Sequence, residues 1–414
     1  MSVVIPFKAL RPHRQFVKAV ASYPYDVVSV EEAREIVKDN PLNFLHVEKS
    51  EIDVQDLTGA EDESQYKIAK SNLDGLIERN ILFQEKKDCF YIYRQKAGSS
   101  AQYGIVAAIS LAEYESGEIR KHELTKADKE HDRIRHVMAV DAQTGPVFVT
   151  YKAQDFIDRR VKKIVESDPE YDFISDDGIC HTVWVISAEK DIAALKKAFA
   201  EVHVLYIADG HHRAAAAAAV RRLKKEAKPG SGREQAYDYV MAVLFPHNQL
   251  KIMSYNRAVT NLNGLDDGEF LRQVRGRFLV SDNFSLKSPS RCHEIGMYLR
   301  GRWYRLNAKD DTYDKNDAIK ILDVSILQEN LLKPVLGIEN PRTDKRIDYI
   351  GGIRGVQELE RLVDSGEFAV AFSLYPTSME QLMAVSDAGK VMPPKSTWFE
   401  PKLRSGIFIH LLTT

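Results

Sequence analysis

The stretch "YIADGHHRAAAAAAV" (206–220) sets an acid, a glycine, two histidines and an arginine directly ahead of six alanines. Just upstream, "AEVHVLYI" (200–207) alternates apolar and polar residues and predicts a strand. Downstream, alanine, the strongest helix former, runs into Val220 and then "RRLKK", whose cations suit the last turns of a helix. The reading is a strand, a tight turn and a helix, with Asp209 as the N-cap. The amides of Gly210, His211 and His212 then sit at the positive end of a helix. That makes an anion site, most often one for phosphate.

Working outward, 414 residues allow two or three domains with sizeable cores. A formal net charge of -2 argues against nucleic-acid binding as the main task, because phosphate-backbone binding needs a clear basic excess. The stretch "MSVVIPFKALRP" has no apolar core and carries Pro6, so it does not read as a signal peptide, and no apolar run approaches the roughly 20 residues of a bilayer span. Cys89, Cys180 and Cys292 lie far apart without CxxC spacing. They read as reduced, buried, inert thiols of a cytoplasmic protein.

In "SVEEAREIVKDNP", Ser29 is an N-cap with Glu32 three residues on. "LNFLHVEKS" resumes as a strand, 60–82 has helical spacing, and "CFYIYRQKAG" with "AQYGIVAAISLAEY" predicts a hairpin. Strands are expected over 145–151 and 181–187, and a helix over 191–202. "YDYVMAVLFP" and "LKIMSYNRAV" read as two strands around a turn at Pro246–Asn248. Beyond them come a hairpin-like "HEIGMYLRGRWYRLN" and a helix-rich "AIKILDVSILQENLLKPVLG". Linkers are expected at 228–235 and 260–268. The second divides an N-terminal α+β region, 1–262, from a C-terminal α/β region, 263–414, whose segment 391–412 returns to the site. Strands and helices mix without clean alternation, which gives an α+β fold of mixed sheets.

Three constellations carry chemistry. In "DGHHR", Arg213 offers a fork of donors to a phosphate, and His211 or His212 stabilises charge or moves a proton. Adjacent histidines diverge on a helix and hardly share one ion, so Mg²⁺ bridged by phosphate, with Asp209 as ligand, is the more natural metal role. In "RKHELT", Glu123 beside His122 is where a general base fits. The following 126–136 reads as a solvated charged helix with pairs such as Lys129–Arg133. In "MPPKSTWFEPK", Lys395, Ser396, Thr397 and Lys402 are candidate phosphate contacts. "YPYDVVS", with Tyr25 and Asp26, reads as a structured turn. No Walker A, Rossmann or HExxH pattern is present in the sequence.

"IPFKALRP", "YPYDVVS", "HELT" with "DR" shortly after, "IADGHHRAAAA" and "MPPKSTWFEPKLRSG" together resemble, in order and over nearly the whole length, a large prokaryotic domain-of-unknown-function family, DUF1015. The central motif is similar to that of free-serine kinases of the ParB/sulfiredoxin-like superfamily. That resemblance implies a strand–turn–helix phosphate site and phosphoryl transfer to a small hydroxyl acceptor, with L-serine leading and O-phosphoserine as product. The donor is a nucleotide (ATP or ADP) or inorganic pyrophosphate. His211, His212, Arg213 and Lys395 would neutralise donor phosphates, with His122, Arg133, Ser396, Thr397, Lys402 and the Gly210 amide assisting. Asp209 would hold Mg²⁺ or a histidine, and Glu123 would take the hydroxyl proton, with Glu48 as second choice. The implied partners are small molecules, with no membrane, with nucleic acid disfavoured, and with a homo-oligomer compatible. Gly210, Arg213 and Ala216 also echo a GxxRxxA spacing of ParB proteins. The alternatives are therefore a ParB-like regulator, or a phosphate-ligand-binding protein without turnover.

Overall fold

A computed structural model describes residues 2–54, 63–227 and 233–413. The expected linker at 228–235 and the start of the helical segment at 60 lie largely or partly outside the described residues. The chain forms two compact units, Met1–Leu250 with Pro401–Thr414, and Lys251–Glu400. The sequence reading drew its boundary at 262, after the strand Tyr255–Val259. That strand instead belongs to the sheet of the second unit, between Val370–Leu374 and Ile347–Gly351.

The first unit is built on a nine-stranded mixed sheet. Its site-bearing edge runs Ile119–Arg120, Leu205–Asp209, Val147–Tyr151, Tyr239–Pro246 and Ser100–Ser110. Leu205–Asp209 is parallel to Ile119–Arg120, and Tyr239–Pro246 is parallel to Val147–Tyr151, while the other pairs are antiparallel. The α+β class with mixed sheets is what the sequence predicted. The hairpin Phe90–Ala97/Ser100–Ser110 and the strand Tyr239–Pro246 stand as expected. Tyr239–Pro246 does not pair with the segment after it. Lys251 opens the other unit, and Ile252–Met253 pairs with Trp398–Phe399 there.

The alanine run is explained by packing on both sides. Helix His211–Ala227 buries all six alanines and Val220. Ala214, Ala217 and Ala218 join the sheet core with Val147, Val149, Leu205 and Ile207. Helix Ala127–Val140 lies on another side, where Ile134 and Val137 pack on Val220. Only a methyl-sized side chain permits such close approach to a sheet and a helix at once. Good helix propensity is a second gain.

Helix Val30–Val37 begins at Ser29 with the full capping box: the Ser29 hydroxyl accepts from the Glu32 N–H, and the Glu32 carboxylate accepts from the Ser29 N–H. "LNFLHVEKS" is not a strand. It folds as the helical turn Leu45–Glu48 followed by a 3-10 turn, Ser50–Asp53. Phe44 and Val47 bury into a core with Leu73, Val140 and Ile409.

The second unit has a six-stranded antiparallel sheet, in the order Phe278–Asp282, Arg302–Ala308, Glu294–Leu299, Val370–Leu374, Tyr255–Val259, Ile347–Gly351. Helix Gly355–Asp364 covers it through Leu359, Leu362 and Val363. Among the described residues no helix is long and apolar enough to cross a membrane. Of the cysteines, Cys89 is buried, Cys180 is intermediate and Cys292 is exposed, so burial of all three is corrected.

Candidate active site

Strand Leu205–Asp209 runs in register with Val147–Tyr151 as far as Ile207 opposite Val149, then slips so that Asp209 faces Phe148. The extra residue is a bulge, which turns the strand end and re-aims its side chain. Gly210 follows at φ +88, and a Cβ there would meet the Val147 Cα at 3.4 Å. Its carbonyl accepts the Ala214 N–H at 3.1 Å, so Gly210, not Asp209, is the N-cap. The Asp209 carboxylate is engaged elsewhere. Oδ1 accepts the Gly210 N–H and Oδ2 accepts from Lys402 Nζ, both at 2.8 Å. Burial pushes this carboxyl upward, but the Lys402 ammonium and the Gly210 N–H overcome it and hold the group well below the usual range.

The two histidines diverge, as expected on a helix. His211 is buried, packs edge-to-face on His122 with ring centroids 4.5 Å apart, and has Nδ1 at 3.8 Å from Glu123 Oε2. Burial drops His122 from 6.5 to about 4, and burial with the neighbouring His122 pushes His211 well below 6.5. His212 turns toward the side of Asp26 and is also lowered, chiefly by burial. These shifts favour the neutral imidazole at all three positions, a form suited to hydrogen bonding and proton transfer. His211 Nε2, His212 Nδ1 and Arg213 Nη2 are buried without a hydrogen-bond partner.

A second group converges from distant parts of the sequence. Glu48 ends its short helix 1% exposed, with Oε2 3.9 Å from Arg133 Nη1. Burial would raise its pKa, but Arg213, then His136 and Arg133, hold it below the ordinary value. Its Oε1 is buried without a partner, as is Ser405 Oγ. Gly145 marks where these groups meet. A Cβ on it would lie 2.8 Å from Ser405 Oγ, 3.0 Å from Arg213 Cζ and 3.0 Å from Glu48 Oε1. Arg213 donates to the Pro146 carbonyl at 3.2 Å and lies over the Tyr25 ring at 5.4 Å, with Arg133 over the same ring at 4.0 Å.

The sequence-derived candidates therefore separate. Asp209, Gly210, His211, His212, Arg213, His122, Glu123, Arg133 and Lys402 all lie in the first unit. Arg133 and His136 are buried, which corrects the solvated reading of 126–136. Lys395, Ser396 and Thr397 lie in the second unit. There Lys395 Nζ sits over the Tyr255 ring at 5.4 Å, and the buried Ser396 hydroxyl donates to the Pro393 carbonyl at 2.7 Å, which gives that hydroxyl a structural partner. Gly145, Ser405, His136 and the site side of Tyr25 were missed. "YPYDVVS" was visible, but nothing in its spacing says that its ring faces two arginines.

The Asp209 carboxylate, the expected Mg²⁺ ligand, is engaged by Lys402 Nζ and the Gly210 N–H. Among the described residues no three His, Cys, Asp or Glu donors form a metal-holding set. Residues 4–325 match the family model described as "Protein of unknown function (DUF1015)". The chain belongs to the DUF1015 family. No curated protein matches the sequence. Among solved structures, it is similar to a free serine kinase variant in complex with AMP, at 13% identity and TM-score 0.36, covering 71% of this chain and 86% of that one. A conserved hypothetical protein from Pyrococcus furiosus gives 13% and 0.36, covering 74% and 95%. SbnI from Staphylococcus aureus, truncated at its C-terminus, gives 11% and 0.38, covering 72% and 84%.

Proposed function

We propose that this DUF1015 protein is a phosphotransferase, moving a phosphoryl group from a nucleotide or pyrophosphate to the hydroxyl of a small acceptor, with free L-serine the leading candidate. One observation carries the reading. Glu48 Oε1 and Arg213 Nη2, opposite in charge and both buried, each lack a hydrogen-bond partner, and Glu48 Oε1 and the Arg213 guanidinium carbon both come close to Gly145 beside a helix start. Native proteins rarely leave such groups unsatisfied, and a ligand with an anionic and a hydroxyl group would satisfy both. The donor phosphate takes hydrogen bonds from Arg213 and from main-chain amides of the first helical turn. Glu48 Oε1 accepts the acceptor's hydroxyl proton as the new O–P bond forms. The donor's P–O bond breaks, and its electron pair leaves with ADP, AMP or orthophosphate. Phosphoryl transfer asks mostly for such positioning and charge stabilisation. The base role thus moves to Glu48, while Glu123, with 44% of its side chain exposed, keeps the histidine pair company.

The test is phosphorus NMR of the full chain with L-serine, Mg²⁺ and, in separate tubes, ATP, ADP or pyrophosphate. Phosphoserine is expected in at least one tube and is lost on Arg213→Ala. No new phosphoester with L-serine or with a panel of small alcohols in any tube overturns the reading.

A further inference from the structure

We propose that Lys402 is a built-in counter-cation that takes the place of a divalent ion at Asp209, so that any Mg²⁺ enters only on the phosphates of the donor. Both oxygens of Asp209 are engaged, Oδ2 by the ammonium and Oδ1 by the Gly210 N–H, each at 2.8 Å. The lysine side chain is only 15% exposed, which is unusual for an ammonium on a flexible stem.

Its backbone is held from several directions. Gln95 Nε2 donates to the Lys402 carbonyl at 2.9 Å. Ser405 and Ser22 exchange both backbone hydrogen bonds, each at 3.1 Å. Between them Arg404 pairs with Asp177 and stacks on Tyr23 at 3.8 Å. The backbone of segment 402–405 is thereby held, and from it the ammonium reaches Asp209 Oδ2 at 2.8 Å. A divalent ion approaching Asp209 would meet this charge and the positive end of helix His211–Ala227, two like-signed obstacles. The nearby rings that could assist it, His122 and His211, lie within a group that among the described residues forms no metal set.

The inference rests on the phosphotransfer reading only for where the donor sits, and its test uses neither donor nor acceptor. The full chain is titrated with Mn²⁺ in phosphate-free buffer, and free Mn²⁺ is followed by electron paramagnetic resonance. The wild type is expected to bind more weakly than about millimolar. Lys402→Ala, or Lys402→Gln if the alanine variant fails to fold, is expected to bind at least tenfold more tightly. Adding Asp209→Asn to either variant should abolish that gain. Tight binding by the wild type that disappears in Asp209→Asn overturns the inference. So does a folded Lys402 variant that gains no affinity. Either result can occur whether or not the protein turns over serine, so the two proposals fail separately.

Discussion

Glu48 lies by Arg213 and Glu123 by His211, neighbouring residues of one helix start, and the surroundings of the two carboxylates differ in almost every respect. Glu48 is 1% exposed at the end of a helical turn, among Arg133, Arg213 and His136, with one oxygen unpartnered. Glu123 lies in the connection before helix Ala127–Val140, 44% exposed, with Oε2 at 3.8 Å from His211 Nδ1. The comparison teaches that burial alone does not define a functional carboxylate. What distinguishes Glu48 is burial together with an unmet acceptor and a matching unmet donor on Arg213.

The largest expected effect breaks or confirms that contrast directly. Glu48→Gln should lower kcat by roughly 10²–10⁴, the range for loss of a general base, while donor binding is retained. Glu123→Gln should change kcat less than about tenfold. If steady-state kinetics reverse that order, the base is Glu123 and the seat at Gly145 is structural. Next in size, Gly145→Ala should destabilise the fold by about 1–3 kcal/mol, the usual cost of overpacking, because its Cβ would sit 2.8–3.0 Å from three side chains. Thermal unfolding measures it. An unchanged Tm would mean that those groups move apart freely.

The smallest effect is in pH. Each glutamate has a buried histidine companion, and burial brings His122 and His136 from 6.5 to about 4. The unfolded chain therefore binds more protons than the folded one between those values. Their contribution to stability is fully present only well above pH 6.5 and is lost as pH falls toward 4. Between pH 7 and pH 6 the loss should be roughly 0.7 kcal/mol for each histidine. Urea unfolding at the two pH values tests this, and equal stabilities would place both rings in a protonated or solvated state.

Much of the fold was legible because local physics fixed it. The capping box at Ser29, the hairpin at 90–110 and the strand Tyr239–Pro246 follow from periodicity and cap chemistry that neighbours do not override. "LNFLHVEKS" misled because a short apolar run has no period of its own, and burial of Phe44 and Val47 into the helical core chose a helix over a strand. Helix 127–140 was placed, but its charged residues hid an inward face, since Arg133 and His136 are buried by partners far away in sequence.

The sequence by itself determined the junction: a strand end, a glycine able to take φ +88, and a helix that opens with His211, His212 and Arg213. These depend on residues within a few positions of each other, so propensity, dipole and chirality suffice. Tertiary structure alone decided which distant groups complete it. Glu48, Gly145, Lys402 and Ser405 reach the junction only because the sheet and the returning segment 401–414 close around it. Long-range convergence of this kind leaves no trace in spacing, because the energy that selects it belongs to the packed core and not to any one segment.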